Sequence, residues 1–140
     1  MAAPAVSNEL QRLWFATLKR DWSSLAVLPA HAGGSAAQVA KSLAQIAAIH
    51  KDSPIKLISA EGADLQGASR LIIDMTTHVA SGGLAIVLLD SVISNPAGIP
   101  VALAADAALL CVQLGDSDLE SSKRTLDLVG ASRFVGAVTL

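Results

Sequence analysis

The stretch from Ser24 to Lys41 constrains this chain more than any other: Ser-Leu-Ala-Val-Leu-Pro-Ala-His-Ala-Gly-Gly-Ser-Ala-Ala-Gln-Val-Ala-Lys. Ser24 to Leu28 reads as a buried strand bounded by Pro29, and Gly33-Gly34 as a turn. Ser35-x-x-Gln38 is a capping-box pattern opening a helix from Ala36 to His50, with Val39, Leu43 and Ile46, together with Ala40, Ala44 and Ala47, on its buried face. This is also the layout of a phosphate-binding loop, which needs glycines for close backbone approach, a Lys against the charge and a Ser or Thr for Mg²⁺. Gly33, Gly34 and Ser35 keep such a turn, while Ala36 and Ala37 stand where the Lys and the hydroxyl would be.

The rest of the chain repeats the strand-turn-helix alternation. A helix begins at Ser7 or Asn8, with Leu10, Leu13, Trp14, Thr17 and Leu18 at helical spacing. That stripe packs on the domain's own sheet or, with the edge bearing Glu9, Arg12 and Phe15, meets another protein. After the glycine-loop helix, Ile55 to Ala60 reads as a covered strand and Leu65 to Ala80 as a helix turning Leu71, Ile72, Met75 and Val79 inward. Ser81-Gly82-Gly83 stops that helix, and Leu84 to Leu89 is an apolar strand ending in Asp90. A loop from Ser91 to Ile99 leads to a short helix at Val101 to Ala104, and Asp106 introduces the strand Ala107 to Leu114. Ser117-x-x-Glu120 is a second capping box, Gly130 closes the helix that follows, and Arg133 to Thr139 is a last strand. Short connections between alternating elements require right-handed crossovers, hence an α/β fold with a doubly wound, mostly parallel sheet of about five strands and flanking helices.

Composition narrows the function classes. A chain of 140 residues, 52% of them hydrophobic, supports one core, here a domain from 7 to 140 behind a disordered leader at 1–6. A net charge of −2 without a basic run gives no footprint for nucleic acid. The lone Cys111, inside the run Ala107 to Val112, forms no disulfide framework and reads as a buried thiol in a reducing compartment. No apolar run approaches the roughly 20 residues of a membrane span, and Met1 to Ser7 lacks the regions of a signal peptide, so a cytoplasmic location without membrane insertion is expected. His31, His50 and His78 are isolated, and no HExxH, GxSxG or CxxC occurs. Asp116 and Asp118 beside Glu120 are what a first helical turn attracts by its dipole alone. Neither a metal site nor a catalytic constellation is expected.

Together the elements from about Glu9 to Leu140 resemble the deviant-Walker ATPases related to ParA and MinD, and among them the tyrosine kinase domain of bacterial capsule and exopolysaccharide systems. Glu9-x-x-Arg12-x-x-Phe15 matches the first two positions of that domain's Glu-x-x-Arg-x-x-Arg helix, which mediates ring assembly, and departs at the third. The loop Pro-Gly-Glu-Gly-Lys-Ser/Thr-Thr falls on Ala32 to Gln38 and keeps only its first Gly, at Gly33. The second acidic motif falls on Ser59-Ala60-Glu61, and the Walker B strand falls on Val87-Leu88-Leu89-Asp90, which matches. Ala105-Asp106 through Phe134-Val-Gly-Ala-Val138 is similar to the family's closing strands.

The resemblance implies a P-loop NTPase-like fold with a degenerate Walker A motif. Without the Lys and the hydroxyl, phosphoryl transfer loses its positioning and its electrostatic stabilisation. The sequence has no Tyr, so the kinases' C-terminal tyrosine cluster is missing as well. The expected function is therefore that of a pseudokinase without enzyme activity or cofactor, a protein-interaction or regulatory subunit in exopolysaccharide synthesis or export. Its implied partners are the cytoplasmic end of an inner-membrane polysaccharide co-polymerase, which would hold it peripherally at that membrane, a related active kinase, or further copies of itself. Glu9, Arg12, Trp14 and Phe15 are the candidate interface, and Gly33, Gly34, Ser35 and Asp90 the vestigial nucleotide site. The alternative is a nucleotide sensor or positioning ATPase-like protein that holds phosphate on a Lys-less loop.

Overall fold

The computed structural model describes residues 8–113 and 119–139. The expected leader at 1–6, the Ser117 cap, the end of the fourth strand at Leu114 and the acidic pair Asp116 and Asp118 lie outside the described residues. The elements run α1 (Asn8–Thr17), β1 (Ser24–Pro29), α2 (Ala37–His50), β2 (Ile55–Ser59), α3 (Leu65–Ala80), β3 (Leu84–Leu88), α4 (Gly98–Ala104), β4 (Ala107–Val112), α5 (Leu119–Val129), a 3₁₀ turn (Ala131–Arg133) and β5 (Phe134–Thr139). The strands form one sheet in the order β2-β3-β1-β4-β5, and every neighbouring pair is parallel.

That order follows from crossover handedness. The chain leaves β1 toward one edge through α2, then returns through α3, α4 and α5 toward the other. Right-handed crossovers in opposite directions must place their helices on opposite faces. Accordingly Leu25 and Val27 of β1 face one cluster, with Val39, Leu43 and Ile46 of α2 and Trp14 of α1. Ala26 and Leu28 face the other, with Ala68 and Met75 of α3, Val101 and Ala102 of α4 and Val129 of α5. The three inner strands β3, β1 and β4 are covered on both faces and buried almost throughout, which is why their sequences run apolar without alternation. The fold is the doubly wound α/β sheet expected, with five strands all parallel.

The helix ends show what local chemistry decided. Asp64 caps α3, its carboxylate accepting from the Gly67 amide at 2.7 Å. The Ser35 capping box does not form. Ser35 Oγ accepts from the Ala37 amide at 3.2 Å, two residues on, and Ala36 is the capping residue, so α2 begins one residue later than the pattern suggests. A serine hydroxyl bonding two residues ahead makes a turn, which competes with the cap.

The amino ends of β1 and β4 are tied by Asp106, whose Oδ2 accepts from the amides of Ser23 at 2.7 Å and Ser24 at 3.2 Å. Ser24 Oγ accepts in return from the Asp106 amide at 2.9 Å. Among the described residues, no helix is long and apolar enough to cross a membrane. Cys111 is buried in β4, and desolvation pushes its thiol up to about 12, so near neutral pH it is protonated and a poor nucleophile.

Candidate functional site

In a doubly wound sheet the ligand crevice lies beyond the carboxyl ends of the strands, where neighbouring helices depart to opposite faces. Here that place is the end of β1, whose helix α2 covers one face while the helices after β3 and β4 cover the other. The loop from Ala30 to Ala36 occupies it. Gly33 has φ +81°, a conformation that L side chains rarely adopt, which explains the glycine. Gly34 is a glycine for a different reason. Its amide closes a turn on the His31 carbonyl at 3.1 Å, and a Cβ there would lie 2.6 Å from Cε1 of the His31 ring. The imidazole is thus folded against the loop at Gly34.

Each remaining candidate is engaged within the fold. Ser35 Oγ is bonded to the Ala37 amide. Ala36 is 0% exposed, packed in the apolar cluster between the sheet and α1 and α2. The carboxylate of Asp90 accepts from the Gly62 amide at 2.9 Å and from Asn95 Nδ2 at 3.3 Å. Asn95 extends this clamp, donating to the Ala63 carbonyl at 3.1 Å and accepting from the Ala97 amide at 3.3 Å. Asp90 and Asn95 together tie the loop after β3 to the turn after β2. As a seat for a triphosphate and Mg²⁺ these residues do not fit: the position the resemblance gives to the cation is the buried Ala36, that of the hydroxyl is Ala37, and the Asp90 carboxylate is bonded to the Gly62 amide and to Asn95.

Asn95 carries no sign of its role in the sequence beyond its place in a Pro-containing loop, because the partner that makes it a link between two loops, the Ala63 carbonyl, lies 32 residues away in the chain. Thr125 is a second such residue. It is wholly buried on α5, its hydroxyl donating to the carbonyls of Ser121 at 2.8 Å and of Ala30, at the start of the glycine loop, at 3.2 Å. Among the described residues, no group of three or more His, Cys, Asp and Glu side chains is placed to hold a metal ion.

The helix-borne candidates divide in two. Trp14 is 0% exposed, stacked against His50 of α2 with ring centroids 6.3 Å apart and edge-on to Trp22 at 5.7 Å. It belongs to the core and not to a free interface, because α1 turns its widest apolar side chain inward against α2. Glu9, Arg12 and Phe15 are exposed, and Phe15, 54% accessible, stands edge-on to His50 at 5.3 Å. The stripe therefore docks at home, while the edge beside it faces outward.

At the opposite end of the sheet a cleft of about 790 Å³ opens between Trp22, Arg20, Lys51, Asp21 and Asp106. None of its lining residues belongs to the glycine loop or to Asp90. No protein-family model and no curated protein matches this chain.

Proposed function

We propose that this chain is a non-catalytic relative of the exopolysaccharide tyrosine kinase domain, a pseudokinase with a P-loop-like fold whose work is protein interaction in bacterial polysaccharide synthesis or export. The observation that carries this reading is the burial of Ala36: the position the resemblance gives to the phosphate-binding Lys is packed in the apolar core. The engagement of Asp90 with Gly62 and Asn95 supports it, since the residue at the Walker B position holds two loops together. On this reading the polar groups at the crevice serve to tie its loops together.

The partner is the cytoplasmic end of a polysaccharide co-polymerase or a related active kinase, and the chain docks through the outward edge of α1. Arg12 and Phe15 supply the cation and the aromatic anchor that dominate such contacts. Replacing both by Ala is expected to weaken binding to a purified cytoplasmic co-polymerase segment or active kinase domain about tenfold or more, read by co-sedimentation. Because both side chains are exposed, the circular dichroism spectrum should be unaltered. Undiminished binding by the double variant would overturn the assignment of that surface.

A further inference from the structure

The two edges of the sheet differ in chemistry. β2, the outer strand on one side, is preceded by Pro54 and carries Lys56 exposed in its middle, both of which discourage pairing with another strand. β5, on the other side, reads Phe-Val-Gly-Ala-Val-Thr, with neither charge nor proline, and among the described residues it pairs with β4 alone. Half of an edge strand's main-chain N–H and C=O groups point away from its neighbour and specify another extended strand as their partner. The register irregularity falls at the start of β5, between the pairs Ala108↔Phe134 and Leu109↔Gly136, which leaves Gly136 to Thr139 in regular register. Gly136 and Ala137 are both exposed and small.

Charge around this edge is unequal along its length. Arg20 donates to the carbonyls of Ser132 and Arg133 at the amino end of β5. Glu9 lies at the carboxyl end, where with Leu10, Val39, Val138 and Thr139 it lines a groove of about 260 Å³. From these features we infer that β5 pairs antiparallel with β5 of a second copy of this chain, joining the two sheets around a twofold axis that passes beside Ala137. That direction brings Arg20 of each copy toward Glu9 of the other, whereas a parallel arrangement would set like charge against like. With the axis at Ala137, Gly136 of one copy faces Val138 of the other, and the absent side chain makes room. Ala137 faces its own equivalent, and the faces bearing α1 and α2 remain continuous across the pair. The inference does not rest on the proposed function.

Sedimentation equilibrium of the full chain tests it. The unsubstituted protein is expected at twice the 14.3 kDa of one chain at micromolar concentration. Ala137→Lys and Ala137→Glu each place like charges across the axis, and each should weaken the pair on the order of a hundredfold. Mixing the two variants should restore a dimer, which only a residue facing itself can produce. Leu57→Lys, on the other edge, should leave association unchanged. A monomeric unsubstituted protein, charge variants that stay paired, or loss of the dimer in Leu57→Lys would each overturn the inference. Amide exchange on the unsubstituted protein gives a reading that needs no variant: the amides of Gly136 to Thr139 should slow with rising concentration, and concentration-independent exchange would contradict the pairing.

Discussion

Trp14→Ala is expected to destabilise the protein by about 3–5 kcal/mol, the cost of emptying a large aromatic site in a core. Trp14 is the largest of the fully buried side chains, and it joins α1 to the C-terminal end of α2 through His50 and to the chain entering β1 through Trp22. The cavity cannot collapse easily, because the sheet beneath it is made of Leu25, Val27 and their neighbours, held in register by parallel ladders. Among the described residues, neither Trp14 nor Trp22 has an acceptor for its buried indole N–H, and an unmet donor costs roughly 1–3 kcal/mol. Trp14→Phe should therefore cost much less than Trp14→Ala, since it removes that donor together with only part of the ring. Urea denaturation of the two variants checks the order, and equal losses would contradict the packing described.

Ala36→Lys, which puts back the cation of a working phosphate loop, is expected to destabilise by about 3–5 kcal/mol and to leave nucleotide binding absent, because it buries an unpaired charge. Ala36 is wholly buried in the apolar cluster that also holds Val39, Ala40 and Leu43, leaving the new side chain the choice of entering the core or displacing the start of α2. Ala36→Met has comparable length without charge, and the difference between the two variants isolates the electrostatic part. The sign of the pH dependence follows from the same burial. A lysine desolvated in the folded state holds its proton less firmly there than in the unfolded chain, so the penalty should shrink as pH rises toward the ordinary lysine value of about 10.4. A penalty that does not change with pH, or a stable variant that binds ATP, would contradict the buried setting of this position.

Much of the fold was legible because single residues punctuate it. The sequence marks α3 from Leu65 to Ala80 because Ser81-Gly82-Gly83 stops the helix and Leu71, Ile72, Met75 and Val79 recur on one face. For α4 the sequence suggests a start at Val101, because Gly98 and Pro100 look like a turn, but the helix begins at Gly98, since a proline is tolerated in a first helical turn where its missing N–H has no partner to lose. The periodicity of α1 identified a stripe but could not say what covers it, because the same spacing serves a core and an interface. The structure turns Trp14 inward and leaves Phe15 outside. The glycine loop was visible in sequence, but the folding of the His31 ring against Gly34 was not. Nor was the Asp90 to Gly62 bond, which joins residues 28 apart that only the parallel crossover brings together. The strand order, and with it the uncharged β5 edge, is likewise a property of the topology and not of any local stretch.

The most direct test of the central claim is an equilibrium titration of the purified chain with ATP and with ADP, each with and without Mg²⁺, followed by calorimetry. The loop described, with Ala36 buried, Ser35 and Asp90 bonded to the backbone and His31 lying against Gly34, predicts no saturable heat up to millimolar nucleotide and no effect of Mg²⁺. Saturable binding in the micromolar range, strengthened by Mg²⁺, would contradict it and would make the chain a nucleotide sensor.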